Sequence, residues 1–265
     1  MTRYIFVDGS YFIFYRFYAL HVWWRNARPD IPLDNPIENE EFVEKFRKTF
    51  VDKLQEIKKK LKLKDAEMIV AKDCHRKDIW RHDFIDNYKG TRDNGEEFLG
   101  GPFFKMAYEE DLFEKGGCSQ RLFHPQLEAD DCIALAIKNL FKRDLTAKVW
   151  IIASDMDYLQ LASERITIMN LKYKDLTKSK NCTQNADCDL FCKILMGDKS
   201  DNIPGVFKKC GMKTALKYYY DRDLLDKNLI KNKDSKDFME RNTKIIDFNH
   251  IPEPLKEEFN IGESL

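Results

Sequence analysis

Nine acidic residues stand beside apolar segments at positions where a chain turns, and carboxylate oxygens are the ligands that hard divalent cations prefer. Asp8, Asp73 and Asp155 each close a short apolar run: Tyr4-Ile-Phe-Val-Asp8, Met68-Ile-Val-Ala-Lys-Asp73 and Val149-Trp-Ile-Ile-Ala-Ser-Asp155. Glu128, Asp130 and Asp131 open a helical pattern, Asp157 lies two residues past Asp155, and Asp198 and Asp201 are spaced i, i+3. Taken singly, each has a plain explanation, because acids favour helix N-termini and Asp favours turns. For Glu128-Ala-Asp-Asp131, helix capping and ligation both stay open. Gathered in one place, the nine would repel, and several would take up protons unless cations sat between them. No histidine or cysteine joins the set, which disfavours zinc and points to Mg²⁺. Two such ions about 4 Å apart form the clamp used for in-line displacement at phosphorus. The chemistry implied is two-metal phosphodiester hydrolysis.

The elements that would position these acids follow from the apolar periodicity. The three runs ending in aspartate are rich in β-branched and aromatic residues and predict buried strands. Glu40 to Leu63 carries apolar residues at 42, 43, 46, 50, 54, 57 and 61, a helical period, and Asp130 to Phe141 repeats it. Strands alternating with helices imply a parallel α/β sheet, whose ligands bind beyond the carboxyl ends of the strands. Asp8, Asp73 and Asp155 are thus predicted along one rim. Residues 26–39 predict a surface loop, and the glycine-flanked stretch 93–118 predicts a mobile excursion around a helix, Phe103 to Glu114. From about residue 183 a helix to Met196, a Gly-Asp-Lys-Ser-Asp-Asn-Ile-Pro-Gly turn and a basic helix follow one another.

Arg81, Tyr88 and Arg92 fall at i, i+7, i+11, so one helical face would carry all three, with Lys89 beside it. That face reads either as a solvated charged surface or as phosphate contacts with Tyr88 stacked on a base. Residues 202–220 contain no acid but include Lys208, Lys209, Lys213 and Lys217. The turn at Gly211 leads into Lys213-Thr214-Ala215-Leu216, a helix N-terminus whose free N–H groups would bind phosphate without reading sequence.

Composition narrows the classes. In 265 residues, 45 basic and 45 acidic side chains cancel, so any electrostatic message lies in their placement. Apolar residues at 43% can supply a sizeable core, and disorder is not expected. Asp8, Arg16 and His21 interrupt the aromatic stretch Tyr4 to Trp24, which excludes a membrane span there. Seven cysteines, an odd number without a CxxC pair, fit an intracellular, reducing compartment.

The chain resembles the structure-selective 5′ nucleases, which include the 5′-nuclease domain of bacterial DNA polymerase I, bacteriophage 5′→3′ exonucleases and flap endonucleases. The matching segments are Val7-Asp-Gly-Ser10 with Tyr15-Arg16; Trp80-Arg81 through Tyr88-Lys89 to Arg92; Glu128-Ala-Asp-Asp131; Ser154-Asp-Met-Asp157; and Gly197-Asp-Lys-Ser-Asp-Asn-Ile-Pro-Gly-Val206 with Lys213-Thr-Ala-Leu216. The resemblance implies a PIN-like α/β nuclease core over residues 1–182 and a helical arch at about 89–123. It implies a helix–three-turn–helix DNA-binding region with a C-terminal tail over 183–265. It assigns Asp8, Asp73, Glu128, Asp130 and the adjacent Asp131 to one metal group, and Asp155, Asp157, Asp198 and Asp201 to a second. Lys89 and Arg92 become the cations at the scissile phosphate; Arg81, Tyr88, Lys208, Lys209, Gly211, Lys213 and Thr214 become DNA contacts. The expected cofactor is two Mg²⁺ ions, with Mn²⁺ able to substitute. The substrate the resemblance implies is branched or nicked DNA with a 5′ flap, with RNA-primer 5′ ends as a further class, and the protein is expected to act as a monomer. Relatives often hold K⁺ at a Gly-x-Gly hairpin, where this chain has Lys209-Cys210-Gly211. Losing the first glycine restricts left-handed φ there, and Lys209 is expected to supply the positive charge instead. A PIN-like ribonuclease and a non-catalytic DNA-junction binder are the rival readings.

Overall fold

A computed structural model describes residues 2–92, 98–180, 182–232 and 234–262, with the side chains of Arg92 and Ile261 outside that description. Five strands form one parallel sheet in the order β3-β2-β1-β4-β5. They are β1 (Arg3–Asp8), β2 (Glu67–Ala71), β3 (Gln120–Leu122), β4 (Lys148–Ile152) and β5 (Ile166–Met169). The helices are α1 (Gly9–Ala27), α2 (Glu40–Lys60), α3 (Gly101–Glu109), α4 (Leu112–Lys115), α5 (Ala129–Arg143), α6 (Ala186–Met196), α7 (Met212–Tyr220), α8 (Arg222–Lys231), α9 (Ser235–Ile246) and α10 (Glu253–Gly262).

The apolar runs are continuous because helices cover the sheet on both faces. In β1, Ile5 and Val7 point to a core shared with α1, α2 and α3, whereas Phe6 points to one shared with α5 and α10. Met68 and Val70 of β2 repeat the first direction, Ile69 and Ala71 the second. This is the period of two along a strand. The register pairs Asp8 with Ala71 and Val7 with Ile152, so the strand ends lie level and Asp8, Asp73 and Asp155 emerge on one rim. On α2, Phe42, Phe46, Phe50, Leu54 and Ile57 are fully buried, as the helical spacing predicts.

Two expectations are corrected. Residues 101–122 are built into the body of the molecule: α3 and α4 bury Phe103, Met106, Ala107, Leu112 and Phe113 against α1 and α2, and 120–122 form β3. The apolar face of α3 drives this docking, so these residues are not a projecting arch; 93–97, also assigned to the arch, lie outside the described residues. Residues 76–92 are not one helix but short 3-10 turns at Arg76–Asp78, Trp80–Asp83 and Gly90–Arg92, so the i, i+7, i+11 face does not exist. Lys89 has a φ of 56°, which breaks any helix there.

The segment beyond β5 carries its own small core, in which Leu195, Val206, Ala215 and Leu225 join α6, α7 and α8. The tail then returns to the sheet, where Phe248, Ile251, Leu255 and Phe259 pack on the α5 side. Between α6 and α7, Gly197 has a φ of 67°, and a Cβ there would meet the Ile203 carbonyl oxygen at 2.3 Å. Only glycine fits that turn. It lets the Asp198 and Ile203 backbones exchange hydrogen bonds of 2.9 and 2.7 Å. Among the described residues no helix is long and apolar enough to cross a membrane.

Candidate active site

Asp8, Asp73, Glu128, Asp130 and Asp155 line one cleft of about 230 Å³ at the carboxyl ends of the central strands. Several are held by the element they start or end. Asp8 caps α1, accepting from the Tyr11 N–H at 2.9 Å and from the Tyr158 hydroxyl at 3.1 Å. Asp73 accepts from the Ala129 N–H at 2.7 Å and from the Ser10 hydroxyl. Asp155 accepts from the Asp157 N–H at 2.9 Å. Carboxylates that also serve as caps are pre-aimed, since their rotamers are fixed by the backbone. Asp157, Asp198 and Asp201 gather with oxygens within 4.8 Å of one another, as do Glu128, Asp130 and Asp131.

Asp131 points away from the cleft. It is wholly buried, paired with both terminal nitrogens of Arg81 at 2.7 Å and bonded by the Trp80 indole N–H at 2.9 Å. It also accepts from the Glu128 N–H at 3.1 Å, so here capping prevails. Arg81, expected to contact DNA, is itself only 3% exposed, with a further bond to Glu128 at 2.9 Å and one to the Ile245 carbonyl at 2.8 Å. Its guanidinium is committed to the protein interior. Tyr88, expected as a stacking surface, is 4% exposed, and its hydroxyl donates to Glu128 at 3.0 Å and Asp201 at 3.3 Å. The sequence offered no sign of these pairings because their partners lie far away along the chain.

Two lysines stand among the acids. Lys89 lines the cleft, bonds Glu128 and lies 3.9 Å from Asp201. Lys193 of α6, which sequence reasoning passed over, bridges Asp157 at 2.6 Å and Asp198. Its only sequence signal is its place on the helix leading into the Gly197-Asp198 turn. Ser10 and Tyr158 were missed likewise; both orient carboxylates.

The electrostatics follow this arrangement. Burial, then the charge of Asp73, pushes the Asp8 carboxyl up to about 7. Burial and Glu128 raise Asp73; burial and Asp131 raise Asp130 further. Asp157 is pushed up to about 6 by burial and Asp155. Burial also acts on Glu128 and Asp198, but Lys89 with Arg81 outweighs it at the first and Lys193 at the second, holding both below the usual range. Oxygen ligands that repel one another at neutral pH fit a divalent cation.

Lys208, Lys209, Gly211, Lys213 and Thr214 are all exposed around the start of α7. Gly211 caps that helix without a side-chain bond, so no side chain of the cap takes up its first N–H groups. The left-handed residue of the hairpin is Lys209, with a φ of 60°. A lysine therefore holds the conformation that glycine would adopt freely.

Residues 3–187 match the family model described as "5'-3' exonuclease, N-terminal resolvase-like domain". A DNA polymerase I of Thermus filiformis is 27% identical over 88% of this chain and 25% of its own length. A 5'-3' exonuclease of Bacillus subtilis is 29% identical over 57% of this chain and 51% of its own length. The chain thus spans between a quarter and a half of these two relatives. In fold it is similar to T5 5'-exonuclease with divalent metal ions (zinc) bound, at a TM-score of 0.67 and 18% identity, covering 98% of this chain and 97% of that one. A bacteriophage T5 flap endonuclease in a pseudo-enzyme-product complex with DNA and metal ions aligns at a TM-score of 0.65 and 17% identity, over 98% and 97% of the two chains. The parallel sheet, the carboxylates at its rim and a family match reaching across most of the sequence lead to one placement: this chain belongs to the 5'-3' exonuclease N-terminal, resolvase-like domain family.

Proposed function

We propose that the protein is a Mg²⁺-dependent 5′ nuclease that hydrolyses DNA phosphodiesters at 5′ flaps, nicks or free 5′ ends. The observation that carries this is the convergence of Asp8, Asp73, Glu128, Asp130 and Asp155, with Lys89, on one cleft. Asp8, Asp73, Asp130 and Glu128 would hold one ion; Asp155 with Asp157, Asp198 and Asp201 would hold the other. When bound, the pair supplies an activated water and neutralises charge at the phosphorus, and Mn²⁺ can replace Mg²⁺. Lys89 stabilises the negative charge that grows on the phosphoryl oxygens, and Arg92, three residues on, assists it. Glu128 orients the Lys89 ammonium, while Arg81 and Tyr88 hold Glu128 from beneath as positioning residues. Residues 1–182 form the nuclease core, and Asp198 and Asp201 from the following region would complete its second metal group. Residues 183–265 grip duplex DNA through Lys208, Lys209, Lys213, Thr214 and the α7 N–H groups, with Lys209 supplying charge in place of K⁺.

Recognition then rests on DNA shape at a junction, since the exposed donors suit phosphate rather than base edges. A 5′ end of RNA is a further substrate by the same logic. The test is a labelled 5′-flap duplex incubated with Mg²⁺ or EDTA, with the product ends mapped. Cleavage at the junction in Mg²⁺ alone, leaving a 5′ phosphate, supports the reading. Tight binding without cleavage supports a junction binder, and selective cutting of an all-RNA strand supports a ribonuclease.

A further inference from the structure

A cation and an aromatic ring share the rim beside the cleft and belong to none of the machinery above. Lys72, between β2 and the cleft residue Asp73, places its ammonium 5.1 Å from the centre of the Phe123 ring and 4.8 Å from that of Tyr108. The Lys72 N–H bonds the Leu122 carbonyl at 2.9 Å, which continues the β2–β3 pairing past the strand ends and fixes Lys72 next to Phe123. Phe123 is 46% exposed and joins none of the buried clusters, unlike Tyr108. Among the described residues no carboxylate forms an ion pair with Lys72. A large ring left open to water with an ammonium over it is costly as packing and well suited to binding.

Position supplies the occupant. The phosphate-binding lysines lie around α7, and α6 is tied to the β4 side of the cleft by Lys193–Asp157. Lys72 and Phe123 lie at the ends of β2 and β3, the opposite edge of the sheet. On the nuclease reading, a duplex held at α7 with its scissile phosphate in the cleft would send its unpaired 5′ strand across that edge. We propose that Lys72 and Phe123 form a subsite for the unpaired 5′ strand, Phe123 stacking one base and Lys72 pairing with the adjoining phosphate. The subsite rests on the nuclease reading for the polarity of the strand. It needs no base identity, because every base has a face to stack.

Fluorescence anisotropy in EDTA compares a duplex bearing a 5′ oligothymidine tail with the same duplex blunt. Phe123→Leu keeps apolar volume and removes the flat ring; Lys72→Gln keeps the stem and removes the charge. Each is expected to weaken the tailed duplex roughly tenfold and to leave the blunt duplex unchanged. Phe123→Trp restores tail binding. An abasic tail removes the Phe123 effect and keeps that of Lys72. Equal losses on both duplexes, or none on the tailed one, overturn the subsite. Cleavage of the flap duplex by the unaltered protein in Mg²⁺ is scored separately, so failure of the nuclease reading and failure of the subsite give different results.

Discussion

Replacing Asp8 by asparagine in metal-free protein should stabilise the fold at pH 8 and change it little at pH 5. The Asp8 carboxyl is raised from 3.8 to about 7 by burial and by Asp73. The folded state therefore holds this proton more tightly than the unfolded chain does. Stability attributable to Asp8 is intact below about pH 4, falls as pH climbs through 7, and is flat above it. Moving a carboxyl from 3.8 to about 7, at about 1.36 kcal/mol per pH unit, corresponds to about 4 kcal/mol. The introduced amide still costs free energy to bury and only partly replaces the acceptor used by Tyr158, so about 2–3 kcal/mol should be realised. The helix cap survives, because an asparagine oxygen accepts from the Tyr11 N–H as well as aspartate does. The assay is urea denaturation at pH 5 and pH 8, in EDTA and in Mg²⁺. In EDTA at pH 8 the Asp8→Asn midpoint should exceed that of the unaltered protein; in Mg²⁺ the order should reverse, because the cation neutralises Asp8 and has less to bind in the variant. An equal loss at both pH values in EDTA, or equal stabilisation of both proteins by Mg²⁺, would refute the reasoning.

Arg81→Met strands Asp131 and Glu128 without their cation in the interior, and urea denaturation should report a loss of about 3–5 kcal/mol. A change under about 1 kcal/mol would mean that the burial of Arg81 does not matter. Lys193→Met removes the ammonium shared by Asp157 and Asp198; metal-free stability should drop by about 3 kcal/mol, with a larger gain on adding Mg²⁺ than the unaltered protein shows. Lys209→Gly relieves a left-handed lysine and should raise stability by about 1 kcal/mol, while the salt dependence of duplex binding flattens by about one unit. If stability falls and the salt slope holds, Lys209 is neither strained nor at phosphate.

Much of the sheet was legible in the sequence for one physical reason: β1, β2 and β4 are covered on both faces, so their apolar runs are unbroken and the terminal aspartates stand out. β3 and β5 gave no such signal. β3 is three residues long, includes Arg121 and pairs on one side only, and β5 alternates Ile166 and Ile168 with more exposed neighbours. The docking of α3 was hidden by its flanking glycines, although Phe103, Met106 and Ala107 carry a helical period. Cleft acids were found because each sits where a strand ends or a helix begins. Arg81 and Tyr88 were misread because charge and hydroxyl groups suggest a surface until a buried partner is known, and Asp131 is 50 residues away from Arg81. Lys193 was overlooked because one lysine on a helix looks like any other until Asp157 and Asp198 close around it.

The central claim is that these carboxylates exist to hold cations. Its most direct measurement is anomalous diffraction from crystals soaked in Mn²⁺. One peak is expected among Asp8, Asp73, Asp130 and Glu128 and a second near Asp155, Asp157, Asp198 and Asp201, with the Asp8→Asn variant losing the first. Peaks elsewhere on the molecule, or a cleft free of Mn²⁺ at saturating concentration, would contradict it.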